Sequence, residues 1–183
     1  MNSSERSEVF DVIKYFSVTA IILVIVRALL FSPVEVDGAS MYPTLADEDK
    51  IIINKLSDYD RFDIIVFQGE NNKVYVKRII GIEGDHIEFK HDQLLINGEA
   101  VEEPYLTSLK QSIITDKLTG SFNLEELYGF DTIPAGQFFV LGDNRLDSLD
   151  SRHPYIIGLV KHDQIFGEVE LIYYPFNHAK WVK

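Results

Sequence analysis

The chain has 183 residues, of which 46% are hydrophobic and 25% charged, a composition that supports a folded core and excludes a disordered polymer. Its net charge is -12, with 25 of the 29 carboxylates after Val36, so the basic face that a nucleic-acid partner needs is not expected. Cysteine is absent, which excludes disulfides, thiolate catalysis and a Cys-based zinc site and is compatible with an extracytoplasmic location.

The first element in chain order is the run Val12–Phe31, "VIKYFSVTAIILVIVRALLF", 20 mostly apolar residues. As a helix it is about 30 Å long, the thickness of a bilayer core. Lys14 and Arg27 lie near its ends, where long side chains reach the headgroups. A removable signal peptide is the main rival, but "MNSSERSEVFDVIK" carries three acids against two bases, and Asp37 and Ala39 make a poor cleavage pattern before Ser40. The expectation is therefore a short N-terminus over residues 1–11, an uncleaved anchor over 12–31 and one domain over 34–183.

That domain reads as mostly β. "KIIINK", "FDIIVFQ", "KVYVKRIIGI", "DHIEFK" and "QLLINGEAV" are rich in Val, Ile, Phe and Tyr and are punctuated by Asp, Gly and Asn, with Asn97-Gly98 as a tight-turn signal. Residues 102–130 have no sustained period and are expected to be an insertion with a helical turn. Strand character returns at "GQFFVLG" and "IFGEVELIYY". The expected fold is a set of antiparallel sheets or a partly open barrel behind one helix.

Three stretches could carry chemistry. In "KVYVKRIIGIEGD" strand alternation puts Lys77 on a face with Tyr75 and Ile79; if that face is buried, desolvation lowers the amine pKa and makes it a general base. The alternative is a strand-end lysine whose head reaches solvent. Ser40, in "VEVDGASMYPTL", is a nucleophile or only a turn hydroxyl. "VLGDNRLDSLDSR" is a polar loop, or a cluster of short hydrogen-bonding side chains that fixes other residues in place, with Asp150 and Arg152 placed to pair. The five histidines are scattered without HExxH or HxH spacing, so no metal site is expected.

In this order behind an N-terminal span, "GASMYPTL", "YVKRIIGIEGD" and "LGDNRLDSLDSR" resemble the motifs of type I signal peptidases, membrane-bound serine proteases, and the compact size resembles their Gram-positive members. "RFDIIVF", "IPAGQFFVLGDN" and "GLVKHDQIFGEV" extend the resemblance to about Val169. It implies that Ser40 is the nucleophile and Lys77 the base of a Ser/Lys dyad. It further implies that Ser148 orients the lysine amine, that Asp150 and Arg152 form a supporting salt bridge, and that Asp143 and Arg78 stabilise the same region. Met41, Leu45, Tyr75 and Val76 match positions that line the substrate cleft. The implied substrates are secreted preproteins cut after an Ala-X-Ala-like site, with the catalytic domain on the extracytoplasmic face of a bacterial membrane, the bilayer as second partner and no cofactor. Three positions depart from the pattern: Gly38 replaces a serine whose hydroxyl helps the oxyanion hole in Gram-negative members, Phe62 replaces a common glycine and Glu83 a common proline. A self-cleaving repressor-type Ser/Lys protease and an inactive signal-peptide-binding protein are the competing expectations.

Overall fold

The computed structural model describes residues 3–70, 72–112 and 117–182, with the side chains of residues 3–12, 28 and 29 excepted. The chain divides into two compact units, Met1–Ser32 and Pro33–Lys183.

The first unit is a helix, α1, over Ser3–Leu30. Its sequence holds neither Gly nor Pro, and its apolar residues surround the axis rather than forming a stripe. It ends two residues before Pro33 begins to constrain the backbone: Pro has no N–H to donate and pushes Ser32 into the extended region. The sequence-based anchor thus loses Phe31, which opens the first strand. Among the described residues no helix is long and apolar enough to cross a membrane. The ends of the expected span at Val12, Ala28 and Leu29 lie outside the described side chains.

The second unit is mostly antiparallel β. One sheet contains β1 (Phe31–Glu35), β2 (Lys50–Asn54), β3 (Ile64–Gln68), β4 (Val74–Gly81), β9 (Gln137–Leu141), β10 (Val160–Lys161), β11 (Ile165–Tyr174) and β12 (Lys180–Trp181). Its order is β1-β2-β11-β3-β4-β9-β10, with β12 on β11. β3 and β4 pair in antiparallel register, Ile65 opposite Lys77 and Ile64 opposite Arg78, and Arg78 in turn faces Leu141 of β9. A smaller sheet runs β7-β6-β5-β8, from β5 (Ile87–Lys90), β6 (Gln93–Ile96), β7 (Glu99–Val101) and β8 (Phe122–Asn123). Asn97 and Gly98 join β6 to β7 with φ of 54° and 83°, the left-handed pair that a tight hairpin turn requires.

From Lys77 to Gly81 both faces of β4 are covered, so this half of the strand shows no alternation of buried and exposed residues, whereas Val74 is exposed and Tyr75 and Val76 are half-buried. Ile80 packs with Ile87, Phe89, Leu124, Phe139 and Leu141 under the small sheet, while Ile79 packs with Ile65, Phe67 and Val140. Each such side chain contributes roughly 1.5–3 kcal/mol when removed from water. A third cluster, Val36, Met41, Leu45, Ile51, Ile53, Val169 and Ile172, pins the loop between β1 and β2 to the sheet. Within residues 102–130 lie α2 (Thr107–Ser112), β8 and α3 (Leu124–Tyr128), and Leu106, Leu109 and Leu118 form a small buried group of their own. Residues 113–116 are outside the described set.

Candidate active site

Ser40 sits in the loop between β1 and β2. The loop is closed at its base by Val36 N donating to Asp49 O and Glu48 N to Val36 O, and inside it Gly38 N donates to Asp47 Oδ1 at 2.7 Å. Met41 and Leu45 are buried in the core below, so the residues flanking the hydroxyl cannot drift. Lys77 enters from the middle of β4 and is 2% exposed. Its Nζ donates to Ser40 Oγ at 2.7 Å and to Val76 O at 2.9 Å.

Burial dominates the acid–base state of that amine. It pulls the Lys77 pKa down from 10.5 to about 8, against the opposing influence of Asp150 and Asp143 and with a smaller assisting one from Arg152. Each of these carboxylates has its own guanidinium. Arg78 Nε and Nη2 donate to Asp143 at 2.9 and 2.7 Å, with both side chains essentially inaccessible. Arg152 Nε and Nη2 each donate to Asp150 at 2.8 Å. Burial pushes the Asp150 carboxyl up, but its bonds from Arg152 and from Gly142 N outweigh this and hold it below the usual carboxylate range.

Ser148 is placed near the Ser40 loop but is not bonded to Lys77. Its Oγ is buried with no hydrogen-bond partner, although it faces Asp150 closely enough to help hold that carboxyl down. The contact with the Ser40 loop is made possible by Gly142: a Cβ there would stand 2.2 Å from Ser148 Oγ and 2.4 Å from Ser40 O. The orienting bond expected from Ser148 to the Lys77 amine is thus not formed; the amine is held by Val76 O instead.

A cleft of about 430 Å³ opens beside Ser40 and Lys77, lined by residues 34–37, Ser40 and Met41 on one side and residues 73–77 on the other. Tyr75, Val76 and Met41 border this cleft, whereas Leu45 is fully buried and supports the loop from beneath. Gly38 has φ of 90°, a left-handed conformation that a serine side chain would strain, which gives the first departure from the family pattern a backbone reason. Phe62 also has a positive φ, 75°, and its carbonyl accepts from Arg78 Nη1 at 2.7 Å.

Several residues of the site were not singled out by sequence. Thr44 Oγ1 donates to Asp143 Oδ2 at 2.5 Å. Arg145 is buried and pairs with Glu103, 42 positions away, while its Nε donates to Gly142 O at 3.1 Å and its carbonyl accepts from Arg152 Nη1 at 2.8 Å. Tyr105 accepts the Arg78 guanidinium over its ring at 4.0 Å. Arg145 and Asn144 lie inside a stretch already noted, which was the available signal; nothing in the sequence marks Glu103 or Tyr105. Among the described residues no group of His, Cys, Asp or Glu could hold a metal ion.

This arrangement, a half-buried hydroxyl against a buried amine of lowered pKa beside an open cleft, can deliver a nucleophilic oxygen to a bound carbonyl. Comparison with known proteins points to one group. The family model "Signal peptidase, peptidase S26" matches residues 9–174. Signal peptidase I of Bacillus caldolyticus is 48% identical over 165 residues, covering 87% of this chain and 88% of that protein. Signal peptidase I S of Bacillus subtilis (strain 168) is 38% identical over 183 residues, covering 98% and 96%. The crystal structure of a signal peptidase I from Enterococcus faecalis V583 superposes with a TM-score of 0.57 at 40% identity, covering 61% of this chain and 97% of that one.

Proposed function

The chain belongs to the peptidase S26 signal peptidases, serine proteases that act on preproteins carrying signal peptides, and from that premise we propose that it cuts them with a Ser40/Lys77 dyad. The observation that carries this is the 2.7 Å contact between Ser40 Oγ and a lysine amine that is 2% exposed. Val76 O can only accept, so one N–H of the neutral amine stays bound there and the lone pair is left for the Ser40 hydroxyl. As Oγ attacks the scissile carbonyl, the proton passes to Nζ; the ammonium then protonates the leaving amine, and a water activated by the same nitrogen clears the acyl-enzyme.

The substrate lies extended in the cleft beside β1, whose one described partner is β2, with Val34, Val36, Met41 and Val76 offering small apolar surfaces. Such surfaces select Ala-X-Ala-like residues before the cut. Arg78 with Asp143 and Arg152 with Asp150 fix the walls of the site, and Ser148 packs beside the nucleophile. Residues 12–31 anchor the protein in a bacterial cell membrane, with residues 1–11 cytoplasmic and the catalytic domain, 34–183, outside, its segment 102–130 inserted between sheet strands. The apolar run of the 28-residue α1 supports this anchoring. No cofactor enters any step.

The test is cleavage of an Ala-X-Ala preprotein peptide by detergent-solubilised protein. Wild type cuts at one bond, with kcat/KM rising with pH through an acid limb near pH 8, because the base is active only once Lys77 has lost its proton. Ser40→Ala and Lys77→Met each reduce the rate by at least about 10³-fold. Binding of the peptide by all three proteins with no cutting by any would replace the dyad with a binding role.

A further inference from the structure

A tetrahedral intermediate on Ser40 needs donors for its oxyanion, and Gly38 supplies neither a hydroxyl nor its N–H, which is already given to Asp47 Oδ1. The backbone donor at the attacking residue itself is the Ser40 N–H, which makes no hydrogen bond among the described residues. A single donor is useful only if it is aimed, since its contribution falls steeply with angle.

The aim is set by the peptide plane that joins Ala39 to Ser40. That bond is trans, so its C=O and N–H point in opposite directions, and fixing the carbonyl fixes the N–H. The Ala39 carbonyl accepts from Asn144 Nδ2 at 3.1 Å and from Tyr42 N at 3.1 Å. The next carbonyl, Ser40 O, accepts from the backbone N of Asn144, also at 3.1 Å. One residue of the loop after β9 thus holds the carbonyls on both sides of the nucleophile. Because a carbonyl oxygen can only accept, the Asn144 side chain must present its amide nitrogen to Ala39, and its orientation is settled. Gly142, two residues before it, lets the Ser40 carbonyl come that close.

We propose that Asn144 is a positioning residue of the reaction, holding the Ala39–Ser40 peptide so that the Ser40 N–H faces the oxyanion. It touches no reacting atom. This assignment rests on Ser40 being the nucleophile.

The experiment compares Asn144→Ala, Asn144→Asp and Asn144→Ser with wild type, all as full-length protein in detergent. For each, kcat, KM, the acid limb of the rate profile and the melting temperature are recorded. Inhibition is measured for an Ala-X-Ala peptide aldehyde, which forms an oxyanion-bearing adduct with Ser40, and for the matching peptide alcohol, which cannot. All three variants keep the backbone N–H that holds Ser40 O. Asn144→Asp keeps the shape but replaces a donor with an oxygen facing an oxygen. The expected result for the alanine and aspartate variants is a kcat about 10- to 100-fold lower, with the aldehyde weakened by the same factor. KM, the acid limb and alcohol binding stay within about twofold of wild type. Asn144→Ser loses less if its hydroxyl donates to Ala39 O through the same gap.

A kcat within about twofold of wild type for Asn144→Ala, or equal weakening of aldehyde and alcohol, overturns the assignment. So does loss of cooperative melting in all three variants, which would make Asn144 a folding determinant. Ser40→Ala in the same assay keeps the two ideas apart. If it cleaves like wild type, the nucleophile is elsewhere, whatever the Asn144 variants do.

Discussion

Lys77 shows at the scale of one residue how function and stability oppose each other. Burying the amine lowers its pKa from 10.5 to about 8, which corresponds to roughly 3 kcal/mol of folding free energy lost at neutral pH. Below about pH 8 both folded and unfolded chains hold the proton, so this loss is fully present. Between about 8 and 10.5 the unfolded chain holds it and the folded one does not, so wild-type stability rises with pH, and above 10.5 the loss is gone. Lys77→Met fills the same space without a charge but forfeits the bonds to Val76 O and Ser40 Oγ, which together offset about 2 kcal/mol of the gain. The variant should therefore be inactive and more stable than wild type by about 1 kcal/mol at pH 7. Urea melts at pH 7 and pH 10.5 check it: an advantage that persists at the higher pH would mean that something other than the lysine charge is responsible. The burial of Lys77 was legible as a possibility from its apolar flanks in β4, but its partner Ser40 was implied only by the family resemblance, because alternation along a strand fixes a face and says nothing about which loop covers that face.

At the scale of elements, the long strands could be read from composition and the short ones could not. β2, β3, β4, β9 and β11 fall within the apolar runs quoted from the sequence, and β11 coincides with its run from Ile165 to Tyr174. β8, β10 and β12 are two residues each, shorter than any period can register, and exist because a neighbour supplies their partners. The loop after β9 was legible as a cluster of hydrogen-bonding residues, yet its most constrained member is Gly142, which carries no chemistry. A Cβ at that position would meet the Ser40 carbonyl at 2.4 Å, a backbone atom that cannot rotate away. Gly142→Ala should therefore separate the β9 loop from the nucleophile loop. The expected cost is about 1–3 kcal/mol of stability, with a fall in kcat of at least about 10²-fold, since small displacements of catalytic groups have effects of that size. Calorimetry and steady-state kinetics on the same preparation test this. Normal kcat with an ordinary melting temperature would show that the two loops can part without consequence.

Across the whole molecule, three buried or nearly buried Arg–carboxylate pairs, Arg78–Asp143, Arg145–Glu103 and Arg152–Asp150, tie the β4 strand, the segment after β7 and the β9 loop into one site. Pairing keeps each ion tolerable in a dry environment, and at the lysine desolvation outweighs the upward pull of Asp150 and Asp143. The three pairs and the core clusters lie within Pro33–Lys183, and of the described strands β1 alone, from Phe31, begins before that boundary, whereas α1 belongs to the unit Met1–Ser32. The catalytic unit should therefore keep its dyad when α1 is removed, provided that β1 is kept. A chain beginning at Phe31 is expected to cut a short soluble peptide with a kcat/KM within about threefold of the full-length protein. A preprotein inserted in vesicles presents a different problem, because the anchor proposed for residues 12–31 confines enzyme and substrate to one surface and raises their effective concentration. On that substrate the shortened chain should be slower by about 10²-fold or more, and the deficit should disappear when detergent replaces the vesicles. Equal rates of both chains on the vesicle-inserted preprotein would mean that α1 contributes nothing to the encounter. Loss of activity on the soluble peptide as well would mean that the helix supports the fold of the catalytic unit, contrary to the independence of its core.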